Sequence, residues 1–170
     1  MGALPALVSV DEYLHTAYDP DCDYVDGSIV GRNAGEKDYS KLQQELLVFL
    51  RERRKLWNLF VIQEQRVQVS PTRFRVPDIC VVAGPEPDEQ IFTKPPFLCI
   101  EVLSPEDRMS RMQDRIDDYL KFGVAYVWVI DPETRRAWIY TADNIREVRD
   151  GVLRTANPEF TVPLAEVFDR

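Results

Sequence analysis

Phe97-Leu98-Cys99-Ile100-Glu101-Val102-Leu103 is the most apolar run of the chain, and it carries a carboxylate. Pro95-Pro96 precede it and Ser104-Pro105 follow it. A short apolar run bounded by proline predicts a strand covered on both faces, in the middle of a sheet. Working upstream, Phe74 to Ala83 holds a second such run, Ile79-Cys80-Val81-Val82. Leu59 to Val69 gives a third strand, with Val67 and Val69 on one side and Arg66 and Gln68 on the other. The acidic loop between Ala83 and Phe97 contains Pro85, Pro87, Pro95 and Pro96, which excludes an inner strand there.

Helical periods flank these strands. From Asp38 to about Trp57, Leu42, Leu46 and Phe49 recur at helical spacing, and Arg51, Arg53, Arg54 and Lys55 load the C-terminal end. From Glu106 to Phe122, Met109, Met112, Ile116 and Tyr119 define an inward face that Gly123 ends. Ala125–Ile130 and Arg136–Thr141 then read as strands, with Asp131-Pro132 turning the chain between them. Asp26-Gly27 and Asp150-Gly151 each predict a hairpin, the second between Ile145–Arg149 and Val152–Arg154. The order predicts an α/β (α+β) single domain over residues 1–170.

With 170 residues the chain can bury a core without disulfides or a structural metal. Its net charge of −8 argues against coating nucleic acid by bulk electrostatics, though not against meeting a phosphate through a bound cation. The three cysteines lack C-x-x-C spacing, and Cys80 and Cys99 read as core residues of a protein from a reducing compartment. No signal peptide or membrane span is legible, so the expectation is a soluble, cytoplasmic protein. Phosphate-loop, dinucleotide and nucleophile-elbow motifs are absent. A single histidine, His15, reads as a surface or packing residue rather than a catalytic one.

The chemistry therefore falls to carboxylates and arginines. Asp78 leads into one apolar strand and Glu101 lies inside another. A buried carboxylate is costly unless it is paired, hydrogen-bonded or bound to a cation. Two on neighbouring strands suggest an oxygen site for Mg²⁺ or Mn²⁺; equally, each could be solvated or paired with an arginine. Arg108, Arg111 and Arg115 form a stripe on the following helix. Arg108 and Arg115 border its apolar face, from where a cation could reach toward Glu101, either for a phosphate or as a structural ion pair.

Taken together, Arg75-Val76-Pro77-Asp78, the stretch from Pro95 to Pro105, Tyr119, and Gly123-Val124 with Trp128-Val129-Ile130-Asp131-Pro132 resemble a large bacterial family of restriction-endonuclease-like, PD-(D/E)XK proteins. Tyr24-Val25-Asp26-Gly27, Asn157-Pro158-Glu159-Phe160 and Leu164-Ala165-Glu166-Val167-Phe168 extend the resemblance over nearly the whole chain. It implies an αβββαβ core, with Asp78, Glu101 and the Val102 carbonyl as Mg²⁺ ligands. Leu103 stands where the superfamily has lysine. In this family the lysine usually comes from the next helix, at the position of Arg115. Arg111 stands where an acid is often found, and Tyr39 where a histidine is often seen. Arginine holds charge near a phosphate but does not accept a proton.

The leading expectation is a metal-dependent DNA endonuclease, with catalytic Asp78, Glu101 and Arg115 and with Arg108 and Arg111 on phosphates. A degenerate nuclease fold acting as a dimeric binding module is the alternative, and a hydrolase of a smaller phosphoester is a third. A homodimer is expected from the family resemblance and from Trp57, Trp128, Trp138 and Phe92, more large apolar groups than one small sheet needs.

Overall fold

A computed structural model describes residues 6–32, 36–107 and 109–170. Four helices, α1 (Val10–Leu14), α2 (Lys37–Arg53), α3 (Met109–Phe122) and α4 (Leu164–Phe168), are described. The strands are β1 (Asp23–Val25), β2 (Ser28–Val30), β3 (Leu59–Gln63), β4 (Val67–Ser70), β5 (Arg73–Arg75), β6 (Ile79–Ala83), β7 (Leu98–Val102), β8 (Tyr126–Ile130), β9 (Ala137–Tyr140), β10 (Ile145–Glu147), β11 (Val152–Thr155) and β12 (Phe160–Pro163). The largest sheet has the order β10-β9-β8-β7-β6-β3, and only its β7–β8 pair is parallel. Within it, α2, β3, β6, β7, α3 and β8 trace the αβββαβ order that the resemblance implies.

The sheet is covered on both faces, which is why β6 and β7 read as nearly continuous apolar runs. On one face Leu42, Leu46, Phe49 and Leu50 of α2 pack on Ile79, Val81, Ile100 and Trp128, joined by Phe160 and Val162 of the β11–β12 hairpin. On the other, Met112, Ile116 and Tyr119 of α3 pack on Cys80, Cys99, Val127 and Val129. A smaller sheet, β2-β1-β5-β4, has its own cluster around Tyr13, Tyr24 and Phe74.

Several expectations need correction. The strand expected over Leu59–Val69 is two strands in different sheets, parted at Glu64, whose φ of 50° turns the chain. The strand expected from Phe74 to Ala83 likewise divides between β5 and β6, because Pro77 offers no N–H to a ladder. Asp150-Gly151 closes no hairpin: β10 pairs with β9 and β11 with β12, and Gly151, at φ 76°, carries the chain between sheets. The first long helix stops at Arg53, and the second begins at Met109, which is 70% exposed rather than inward. Trp128 and Phe92 are buried, and Trp57 and Trp138 pack against the two faces of the core. Of the four aromatics offered as a dimer surface, Trp128 and Phe92 are therefore spent inside the molecule, while Trp57 and Trp138 stay partly exposed. Among the described residues, no helix is long and apolar enough to cross a membrane.

Candidate active site

The antiparallel register pairs Ile79 with Ile100 and Cys80 with Cys99. One step outward it sets Asp78 opposite Glu101, on the same sheet face as the two cysteines. Both acids are buried. Of the expectation that the two acids lie on adjacent strands with carboxylates converging within reach of one ion, the register gives the adjacent strands and the shared face.

Asp78 is richly bonded. Its Oδ1 accepts from Arg32 Nη2 and from the Tyr39 hydroxyl. Its Oδ2 accepts from the Val102 N–H at 2.7 Å, tying the strand start of β6 to the end of β7. Its main-chain carbonyl accepts from the Glu64 N–H at 3.1 Å and from Gln43 Nε2 at 3.4 Å. Burial pushes the Tyr39 phenol up, the Asp78 charge adds to this, and Tyr39 stays a donor. Tyr39 is thus a hydrogen-bond donor to Asp78.

Glu101 is less well provided. Its Oε1 accepts from the Tyr119 hydroxyl at 2.6 Å and lies 2.9 Å from Arg115 Nη2. Its Oε2 is buried and has no hydrogen-bond partner among the described residues. Burial pushes the carboxyl up to about 8; the Arg115 guanidinium pulls it back, and the Asp78 charge adds to the rise. Burial outweighs the guanidiniums around Glu101.

Arg115 reaches from α3 over the sheet, as its spacing suggested, and it is shared. Besides Glu101 it meets Asp23 Oδ2 at 3.3 Å and the Val76 carbonyl at 3.2 Å. Burial pulls its pKa down, but Glu101 and Asp23 outweigh this and raise it, so the guanidinium remains charged. Behind it, Arg75 bonds Asp23, Asp114 and Asp118, and Arg73 bonds Asp118. This lattice fastens the small sheet to α3 beneath the two carboxylates. Arg111 is exposed and lines a cavity of about 220 Å³ together with Arg32, Arg75 and Arg115. Arg108 lies outside the described residues.

Asp23 and Arg32 were missed by sequence reasoning. Asp23 sits in a short strand among other acids, and Arg32 follows β2 without any periodic signal. Only the fold, which brings both against Asp78, Glu101 and Arg115, reveals them.

The donor chemistry suits a hard divalent cation, since two carboxylates adjoin and one buried oxygen, Glu101 Oε2, lacks a donor. Among the described residues there is no group of three or more His, Cys, Asp or Glu side chains suited to a metal. A further protein oxygen would have to come from the main chain or from an amide or hydroxyl side chain.

A sequence profile of the Uma2 family, described as "Putative restriction endonuclease", matches residues 10–165. The chain belongs to the Uma2 family. No curated protein matches it. Among solved structures it is similar to "a putative nuclease belonging to DUF820 from Anabaena variabilis ATCC 29413", with a TM-score of 0.81 and 22% identity, over 95% of this chain and 98% of that one. At that identity the likeness shows the fold, which is restriction-endonuclease-like. Where the resemblance leads one to expect two acids, a lysine and a histidine, this Uma2 chain has Asp78, Glu101, Arg115 and Tyr39.

Proposed function

We propose that this Uma2 protein is a metal-dependent endonuclease that hydrolyses DNA phosphodiester bonds, working as one domain over residues 1–170. The observation that carries the reading is the buried Asp78–Glu101 pair with its unpartnered Glu101 Oε2. Asp78, Glu101 and the Val102 carbonyl would hold Mg²⁺ or Mn²⁺. Such an ion, when bound, lowers the pKa of water and offsets charge on the phosphate. The protein's own groups orient this centre: Tyr119 and Arg115 fix Glu101, while Tyr39 and the Val102 N–H fix Asp78. Arg115, standing for the usual lysine, would supply positive charge to a phosphate oxygen without exchanging a proton. Arg108 and Arg111 would contact flanking phosphates. A cytoplasmic homodimer is the expected form, checked by sedimentation at micromolar concentration.

One observation favours the second reading, a non-catalytic binding module: both carboxylates already have guanidinium partners, Arg32 and Arg115. Titration of Mg²⁺ and Mn²⁺ against supercoiled DNA decides between the two. The wild type should nick or linearise the plasmid and Asp78→Asn should not, with thermal melts confirming that both are folded. A folded wild type that never cleaves favours the module.

A further inference from the structure

We propose that Arg32 is the resident counter-ion of Asp78 and competes with a divalent cation for it, so that the metal loads only when this guanidinium withdraws. The inference rests on the metal-holding role of Asp78 proposed above. Arg32 Nη2 bonds Asp78 Oδ1, and the two side chains are 6% and 2% exposed. With Tyr39 on the same oxygen and the Val102 N–H on the other, both Asp78 oxygens already accept hydrogen bonds. A cation added to Asp78 meets a positive charge on the same carboxylate, and like charges sharing a buried site repel strongly. Burial pulls the Arg32 pKa down, but the charges of Asp78, Glu101 and Tyr39 together raise it, so Arg32 does not yield by losing its proton. It has to move.

The surroundings provide for that movement. Arg32 Nε is buried and has no hydrogen-bond partner among the described residues, so the guanidinium is incompletely satisfied where it lies. It lines the cavity of about 220 Å³, whose walls include the carboxylates of Asp23, Asp107 and Asp114. At Gly31, the residue before it, an added Cβ would meet no atom within 4 Å. A guanidinium that leaves Asp78 thus stays in a cavity lined by acidic residues. Glu101 Oε2, lacking a donor, is the half of the centre that Arg32 leaves unserved.

The test is direct Mn²⁺ binding without DNA, followed by the spin-resonance signal of free Mn²⁺, for wild type and Arg32→Gln. The variant is expected to bind at least about tenfold more tightly. Its melting temperature should fall in EDTA and recover with Mn²⁺, whereas the wild type should respond little. Arg32→Gln/Asp78→Asn should lose the gain. Equal or weaker binding by Arg32→Gln, with the wild type still binding, overturns the competition and leaves the metal-holding role standing. Absence of binding by both folded proteins overturns both. Should Arg32→Gln not fold, the wild type carries the test through its arginine Nε–H resonances, with Arg32 assigned from Arg32→Lys. Added Mg²⁺ should shift the Arg32 signal and speed its exchange with water. An unmoved Arg32 signal while the Val102 amide shifts overturns the proposal.

Discussion

Arg115 is gripped from three sides, by Glu101, by Asp23 and by the Val76 carbonyl, so its substitution acts on stability and on chemistry together. Removing one partner of a buried ion pair costs about 3–5 kcal/mol, because the remaining charge is stranded. Arg115→Ala should therefore lower the melting temperature by several degrees. If Arg115 also faces a substrate phosphate, metal-dependent cleavage per folded molecule should drop by about 10² to 10³. Arg115→Lys, which restores the residue type expected from the resemblance, should keep cleavage. Cleavage and melting measured on the same preparations separate the roles, and an active, folded Arg115→Ala leaves Arg115 purely structural. At this scale Asp78 and Glu101 were legible because an acid inside an apolar strand is conspicuous by its cost. Arg32 and Asp23 were illegible because exposed-looking charges near turns are common, and nothing local says that a fold will bury them.

At the scale of elements, helical period located α2 and α3 but misjudged where α3 begins. Met109 fits the apolar spacing and is nonetheless exposed, since the packed face starts at Met112. Two substitutions read this difference. Leu46→Ala, in the fully buried face of α2, should cost about 2–5 kcal/mol in chemical denaturation. Met109→Ala should stay within about 0.5 kcal/mol of wild type. A large loss at Met109 means that its side chain is covered in solution. The divided strands were harder to read. Alternation marked Val67 and Val69 correctly as buried, yet it carries no information about which sheet they join. That choice is made by distant contacts: Phe92 exchanges main-chain hydrogen bonds with Arg66 and Gln68, and Arg66 is clamped to Asp21.

For the molecule as a whole, the net charge of −8 is not spread evenly around the centre. A cleft of about 570 Å³ beside Tyr39 and Leu103 is walled by Glu36, Asp38, Asp107, Asp131 and Glu133. A phosphodiester approaching Asp78 past Tyr39 would meet these carboxylates. Duplex DNA should therefore bind weakly in EDTA and more tightly once a divalent cation is present, as fluorescence anisotropy would show. Equal affinity under both conditions means that DNA approaches by another face. Composition alone suggested that a cation must intervene; the concentration of acids beside the two carboxylates became visible only in the fold.

The pairing of Cys80 with Cys99 across β6 and β7 gives the protein an internal chemical clock. Both thiols are buried and free, two residues along their strands from Asp78 and Glu101, while Cys22 is half-buried near the surface. A thiol-reactive dye can reach the inner two only when that ladder parts. Labelling should show one prompt thiol and two slow ones, the slow rate tracking global unfolding measured in denaturant. Slow thiols that react much sooner than the molecule unfolds would reveal that the ladder breathes on its own.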